Sequence, residues 1–166
     1  MKMCRIVQLT LLIAFAASIA VAQDKACPTG SRGDCQRAIE FFHLVRAELQ
    51  KNDRLSLAAQ IEYPLLTSIH HKRASIRSKE QFLKQFDQIF DKGVRCAILN
   101  ASDDDIWSNS RGYTLGNGDI WFDDLILPGK TTDPKAPGFW SKGTFKIMTV
   151  NNDSQVPCKS GIRGES

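Results

Sequence analysis

The sequence predicts a single α+β domain in which helices precede most of an antiparallel sheet. Apolar residues recur at helical spacing after Asp34, whereas the second half of the chain alternates apolar and polar residues with the period of a strand. The pair Asn117-Gly118 separates two such alternating runs and is the strongest short-range signal for a β-hairpin. The predicted order is helix, helix, hairpin, helix and then several antiparallel strands, and this order defines the α+β class.

Three amphipathic helices are predicted. The first spans 34–51 and the second 53–61, and each begins at an aspartate that can cap its first turn. The third begins with a capping box formed by Ser78 and Gln81. Residues 94–100 fit either a strand or a helix. The apolar faces of the helices and the hairpin predict a core made of Ile39, Phe42, Val45, Phe82, Phe86, Ile89, Leu115, Ile120 and Phe122.

The hairpin is predicted to have two chemically different faces. A two-residue turn at 117–118, of the type that needs positive φ at both residues, places Leu115 opposite Ile120 and Tyr113 opposite Phe122. This apolar face is expected to point toward the helices, because burying each large side chain is worth roughly 1.5–3 kcal/mol.

The other face of the hairpin carries Trp121 and Asp123. The indole could cover the backbone of neighbouring glycines, or it could form a platform for a ligand or partner with help from Asp119. At the far end of the apolar face, Arg111 is expected to form an ion pair with Asp124. The candidate binding residues are therefore Tyr113, Trp121, Arg111, Asp119, Asp123 and Asp124.

The first 22 residues have the organisation of a secretory signal peptide. Lys2 and Arg5 precede an apolar stretch at 11–21, and small residues end it at Ala22. Cleavage there leaves 144 of the 166 residues, with 20 basic residues against 18 acidic ones. This balance predicts no nucleic-acid partner. Removal of the signal peptide predicts a periplasmic or secreted protein with no membrane partner. The predicted organisation is a signal peptide at 1–22, a disulfide-closed loop at 23–33, a folded domain at 34–150 and a tail at 151–166.

Four cysteines remain after cleavage, at Cys27, Cys35, Cys96 and Cys158. An even number in an exported chain predicts disulfides, for which three pairings are open. We favour Cys27–Cys35, which would close a loop rich in proline and glycine, and Cys96–Cys158, which would fix the tail to the domain. The cysteine and histidine spacings do not suit zinc, so neither a metal nor a cofactor is expected.

We predict that the exported protein begins at Gln23 and that its four cysteines are oxidised. Intact mass spectrometry should find a chain four hydrogens lighter than the reduced form. Free thiols at Cys96 and Cys158 would contradict the pairing.

Three stretches of the chain resemble the ketosteroid isomerase and nuclear transport factor two-like superfamily: "IEYPLLTSI", "SKEQFLKQFDQIFDKGVR" and "GYTLGNGDIWF". Within it they are similar to a group of exported bacterial proteins of unknown function, and the resemblance covers about 34–150. It implies a cone-shaped curved antiparallel sheet wrapped around three helices, with an interior cavity. The superfamily includes isomerases, dehydratases, hydrolases and non-catalytic binders, so the fold alone selects no function.

The sequence contains no convincing set of acid and base residues. The isomerases of the resembled superfamily use a carboxylate base with a tyrosine and a protonated carboxyl group, and no motif transfers these roles to this chain. His43 is predicted to be a half-buried polar residue, and 103–105 a solvated turn, so no catalytic residue is assigned.

These observations favour a secreted or periplasmic binding protein for a small molecule or a protein, with either the cavity or an exposed sheet face as its site. One alternative is a small-molecule isomerase or hydrolase of the ketosteroid isomerase type. Another is an inhibitor or immunity-type partner protein, and a homodimer formed through the sheet is one option for its assembly.

Overall fold

The structure is a computed structural model that describes residues 35–69, 71–125, 143–152 and 156–158. Its helices are α1 (Cys35–Gln50), α2 (Arg54–Ala59), α3 (Lys79–Lys84), α4 (Phe86–Ile89) and α5 (Lys92–Asn100). Its strands are β1 (Ile61–Ile69), β2 (Lys72–Ile76), β3 (Ile106–Asn109), β4 (Gly112–Leu115), β5 (Ile120–Leu125) and β6 (Thr144–Val150). The predicted α+β class is confirmed, whereas the signal peptide, the loop at 23–33 and the cap at Asp34 lie outside the described residues.

The strands form one sheet with the order β2-β1-β6-β5-β4-β3. Neighbouring strands are antiparallel except for β1 and β6, which are parallel. The sheet is therefore mixed rather than wholly antiparallel. A parallel pair needs a long connection, and here every other helix and strand after β1 lies between the two partners.

Side-chain caps begin two helices, one that the sequence predicted and one that it left undecided. The Ser78 side chain accepts a hydrogen bond from the Gln81 backbone at 3.3 Å, which confirms this half of the predicted capping box. The Gln81 side chain, however, accepts at 2.8 Å from the Arg77 backbone rather than from that of Ser78. The Asp91 carboxylate accepts from the Val94 backbone at 2.9 Å. This second cap starts α5, and residues 94–100 are therefore helical rather than extended.

Two predicted boundaries were wrong. The second helix ends at Ala59 rather than at Ile61, and β1 begins at Ile61 and continues through Pro64. The register between β1 and β6 shifts between Ile61 and Leu66, so the proline lies where the ladder is already interrupted. The third helix is split at Gln85 into α3 and α4.

The helices pack on one face of the sheet, which we call the inner face; its residues include Tyr113, Leu115, Ile120, Phe122, Phe145 and Ile147. All nine predicted core residues are buried, and the apolar face of the hairpin points toward the helices as predicted. The Phe41 ring of α1 lies 5.4 Å from the ring of Phe122 and 5.7 Å from that of Phe145. Packed aromatic rings therefore fill this part of the interior.

One disulfide joins the C-terminal segment to the domain. Cys96 of α5 is bonded to Cys158, which confirms this predicted pairing. Cys35 is also disulfide-bonded, but Cys27 lies outside the described residues. Nowhere in the described ranges is there a helix with the length and apolar character needed to cross a bilayer.

Glu48 is a buried acid on α1. Its Oε1 accepts a hydrogen bond from Gln60 Nε2 at 3.0 Å, while its Oε2 is buried without a partner among the described residues. Burial raises the pKa of the Glu48 carboxyl above 4.5, an effect that the Gln60 hydrogen bond opposes and the nearby Asp53 reinforces.

We expect Glu48→Gln to stabilise the protein at neutral pH by about 1 kcal/mol, because it removes a desolvated charge while an amide oxygen still faces Gln60. A raised folded-state pKa means that the folded state binds the proton more tightly, so stability falls as pH rises from 4.5 through the folded pKa. Urea unfolding of the variant should show a flatter profile between pH 4 and pH 7. Glu40→Gln, an exposed change on the same helix, is the control, and an equal effect there would contradict the explanation.

Candidate functional site

Six side chains, one from each strand, form a continuous row on the sheet face that points away from the helices. The cross-strand registers align them from one edge of the sheet to the other. We call this set the outer row; from β2 to β3 it contains Ser75, Leu66, Thr149, Trp121, Thr114 and Trp107. Leu66 is 54% exposed and Trp107 is 40% exposed, so large apolar side chains meet solvent in both halves of the row.

The two tryptophans of the outer row form a fixed pair. Their ring centroids lie 5.6 Å apart with an interplanar angle of 78°, and Trp107 Nε1 donates a 2.8 Å hydrogen bond to the carbonyl of Gly116. Thr114 lies between them in the row and is fully buried, although it belongs to the outer face. Its hydroxyl donates to the carbonyl of Ile120 at 2.8 Å. The two indoles therefore cover β4, the strand that lies between β3 and β5.

Trp121 has the structural role that the sequence offered as one of two alternatives. A Cβ atom on Gly118 would lie 3.2 Å from Trp121 Nε1, so the indole packs against glycine backbone. Its side chain is nevertheless only half-buried and faces outward beside Trp107. Packing on the glycine fixes the orientation of a ring that also contributes to the surface.

The turn of the hairpin differs from the prediction, although its register is correct. Residues 116–119 form a four-residue loop, closed by hydrogen bonds from the backbone of Gly118 and of Asp119 to the carbonyl of Leu115. Positive φ occurs at Gly116 and Gly118 but not at Asn117, whereas a two-residue turn would need it at 117 and 118. Asp119 is 6% exposed, with its carboxylate against Gly116, so it is part of the loop rather than of an open surface.

The predicted ion pair between Arg111 and Asp124 is replaced by another. Arg111 lies in the turn between β3 and β4 and is exposed. The Asp124 carboxylate instead accepts a 2.7 Å hydrogen bond from Arg37 of α1, whose guanidinium also donates to the carbonyl of Gly143 at 2.9 Å. That guanidinium lies 5.2 Å from the centre of the Phe145 ring. Arg37 was missed because nothing local in sequence links α1 to β5.

The structure does not bring the predicted binding residues together. Trp121 and Asp123 share the outer face, where Asp123 lies opposite Lys146 of β6. Tyr113 is buried on the inner face, with its ring stacked on Phe122 at 5.9 Å. Alternation from Trp121 could have revealed Trp107, because a turn at 110–111 would place it opposite Thr114 on the same face.

The two edges of the sheet carry opposite charges at the same end of the strands. Lys72 and Arg73 are exposed at the start of the edge strand β2. Asp104 and Asp105 are exposed immediately before β3, the other edge strand. β2 and β3 run in the same direction, so the basic and acidic pairs lie at the same end of the sheet, one at each edge.

The remaining polar residues give weaker candidates. His43 is exposed rather than half-buried, and its Nε2 lies 2.6 Å from Asp103 Oδ1 on the outside of α1. In the described part of the chain, no cluster of three or more His, Cys, Asp or Glu side chains could hold a metal ion. The exposed apolar side chains of the outer row are therefore the feature that packing within the domain explains least well.

No family model, no curated protein and no solved structure matches the chain. What the fold and the site define is an α+β protein with a fixed tryptophan pair on the open face of its sheet.

Proposed function

We propose that this protein is an exported binding protein without catalytic machinery, and that it contacts another protein through the outer row. The observation that carries the proposal is the edge-to-face pair of the exposed Trp107 and the half-buried Trp121, with the exposed Leu66 in the same row. Tryptophan is enriched among the residues that dominate protein–protein binding energies. Apolar side chains grouped on one open face mark an interaction surface more often than isolated ones do.

The tryptophan pair is suited to binding because it is already ordered. The hydrogen bond from Trp107 to Gly116 and the packing of Trp121 on Gly118 hold both rings in place. Binding through side chains that are already fixed loses little conformational entropy, which improves affinity for a given contact area.

The shape of the surface favours a protein over a small molecule or a glycan. The row crosses six strands, which at a spacing of about 4.8 Å corresponds to roughly 24 Å. With an angle of 78° between them, the indoles do not form the flat platform on which sugar rings or planar molecules stack. A row of this length fits the size of a protein interface.

The enzyme alternative has less support. Catalysis by acid and base residues needs carboxylates that are free to exchange protons in a site that excludes water. Asp124 of β5, which lies opposite Phe145, is held by Arg37, and the neighbouring side chains are packed aromatic rings. The pair of His43 and Asp103 lies on an exposed helix surface.

Export and the resemblance to the ketosteroid isomerase and nuclear transport factor two-like superfamily remain part of the proposal. The disulfide between Cys96 and Cys158 supports an oxidising compartment. A sheet with helices on one face is the arrangement that the resemblance implies, and it supports membership.

Site-specific photocross-linking tests the proposed surface. Leu66 is replaced by benzoylphenylalanine in cells that express and export the full chain, followed by irradiation and mass analysis of the adducts. We expect a protein adduct from this position, because Leu66 is 54% exposed in the centre of one half of the outer row.

The matched control carries the same group at Leu55, which is 61% exposed on α2 and lies off the sheet. A protein adduct from position 66 but not from position 55 supports the proposal. No protein adduct at 66, or equal adducts at both positions, contradicts it.

A further inference from the structure

We infer that the β2 edge of the sheet binds an extended acidic segment of another protein, which adds to the sheet as a further strand. The inference goes beyond the proposed function, because it concerns the backbone at one edge of the sheet rather than the tryptophan pair near the other edge. Three observations support it: open backbone groups along β2, basic side chains around them, and a small side chain next to an exposed leucine.

The open backbone groups of β2 follow from its register with β1. Ile69 pairs with Lys72 across a turn of two residues, so this pair and every second pair after it exchange the hydrogen bonds of the ladder. The N–H and C=O groups of Arg73 and Ser75 therefore point away from β1, and they form no hydrogen bond with a described residue. The open stretch ends at Arg77, whose N–H donates to a glutamine side chain at 2.8 Å.

Basic side chains surround these open groups. Lys72, Arg73 and Arg77 are exposed, and none of them has an ion pair with a described residue. Arg73 and Arg77 flank Ser75 at a spacing of two residues on each side, so alternation places all three on the outer face. An added strand has residues directly opposite these positions, where acidic side chains are stabilised by the opposite charge.

The same charges exclude a second copy of this chain and select an acidic partner. Two β2 edges that paired antiparallel about Ser75 would place Arg73 of each copy opposite Arg77 of the other, and like charges directly opposite each other destabilise a strand pair. An acidic strand meets no such repulsion. Because Asp104 and Asp105 are exposed before β3, an acidic segment is attracted to the β2 edge and repelled from the β3 edge.

Ser75 also gives an added strand access to an apolar contact. Its small side chain lies opposite Leu66 of β1, which is 54% exposed. A residue of the added strand opposite Ser75 lies about 9.6 Å from Leu66 across the sheet, and a large apolar side chain there reaches over the serine toward the leucine. The segment that fits this edge therefore has an acidic, an apolar and a second acidic side chain in alternation on one face.

Binding of synthetic peptides to the mature, oxidised chain tests the inference. The probe is the labelled peptide TETFTET, whose residue order is the same in both directions, so its glutamates face the two arginines whichever way it runs. Fluorescence anisotropy at low salt should show saturable binding with a Kd below about 0.2 mM. The peptide TKTFTKT should bind at least about tenfold more weakly, because lysines would then face the arginines.

A third peptide and two protein variants separate strand addition from simple attraction between charges. N-methylation of the phenylalanine in TETFTET keeps both glutamates but removes a backbone donor, so the Kd should rise by at least about tenfold. Arg73→Glu should raise the Kd of the unmodified peptide by about tenfold. The matched control is Arg111→Glu, a change at an exposed arginine between β3 and β4, which should alter the Kd by less than about twofold.

Amide hydrogen exchange followed by NMR locates the bound strand. At a peptide concentration about ten times the Kd, exchange of the Arg73 and Ser75 amides should slow by about tenfold, because bound peptide protects them. Exchange of the Ala74 amide should change less, since this residue is already paired with Thr67 in the ladder.

Failure of TETFTET to bind at about 1 mM overturns the inference. Equal affinities for the three peptides, equal losses in the two arginine variants, or protection confined to residues outside β2 also overturn it. In each of these cases a protein adduct from position 66 would still support the proposed function, because cross-linking on the sheet face does not require an added strand.

Discussion

Replacing Phe86 by alanine is expected to lower the free energy of unfolding by about 3–5 kcal/mol, the largest effect of any single substitution considered for this fold. The ring is fully buried between two other phenylalanines, 5.6 Å from Phe82 and 5.4 Å from Phe90. The guanidinium groups of Arg54 and Arg95 lie 4.7 Å and 5.2 Å from its centre. Truncation would leave a cavity and also remove two cation–π contacts.

The surroundings of Phe86 limit how far this cavity can collapse. Asp87 accepts hydrogen bonds from both Arg54 and Arg95, which holds the two arginines over the ring. Urea unfolding of the alanine variant measures the loss, and Leu55→Ala, a change at an exposed helix position, should stay within about 0.5 kcal/mol of the wild type. A loss below about 1 kcal/mol for Phe86→Ala would show that the ring is less tightly enclosed than the structure describes.

Removal of the disulfide between Cys96 and Cys158 should cost about 4 kcal/mol. The bond closes a segment with a sequence separation of 62 residues, and constraint of the unfolded chain by a loop of this length accounts for an effect of that size. The double variant Cys96→Ala with Cys158→Ala should therefore unfold at a markedly lower urea concentration under oxidising conditions.

A second measurement distinguishes the effect of losing the disulfide bond from the effect of losing the cysteine side chains. The wild-type protein in the presence of a reductant should lose similar stability, because the thiols remain while the cross-link is broken. If the double variant and the reduced wild type both stay within about 1 kcal/mol of the oxidised protein, the tail does not stabilise the domain.

The sequence predicted the parts of the fold that depend on local patterns. The Ser78 side-chain cap and the hairpin register at Tyr113 were correct, because each depends on residues within a few positions of one another. Residues 94–100 remained ambiguous because Val94, Cys96 and Ile98 alternate like a strand. The Asp91 side chain, which caps the helix, was the signal that could have decided it.

Long-range contacts explain most of what the sequence left undetermined. The partner of Asp124 proved to be Arg37, 87 positions earlier in the chain, and no periodicity connects the two. The outer row was only partly visible for the same reason. Trp121 and Thr114 could be paired from the hairpin turn, whereas Leu66 joins them only through β6, which pairs with both β1 and β5.

The central position of β6 also dictates when the sheet can be completed. Without β6 the sheet would consist of two separate ladders. One contains β1 and β2, the other contains β3, β4 and β5, and β6 is the strand that joins them. Because β6 follows all the others in the chain, ribosomes make its residues only after both ladders have been synthesised. The two halves of the sheet can therefore unite only once residues 144–150 have been synthesised and released.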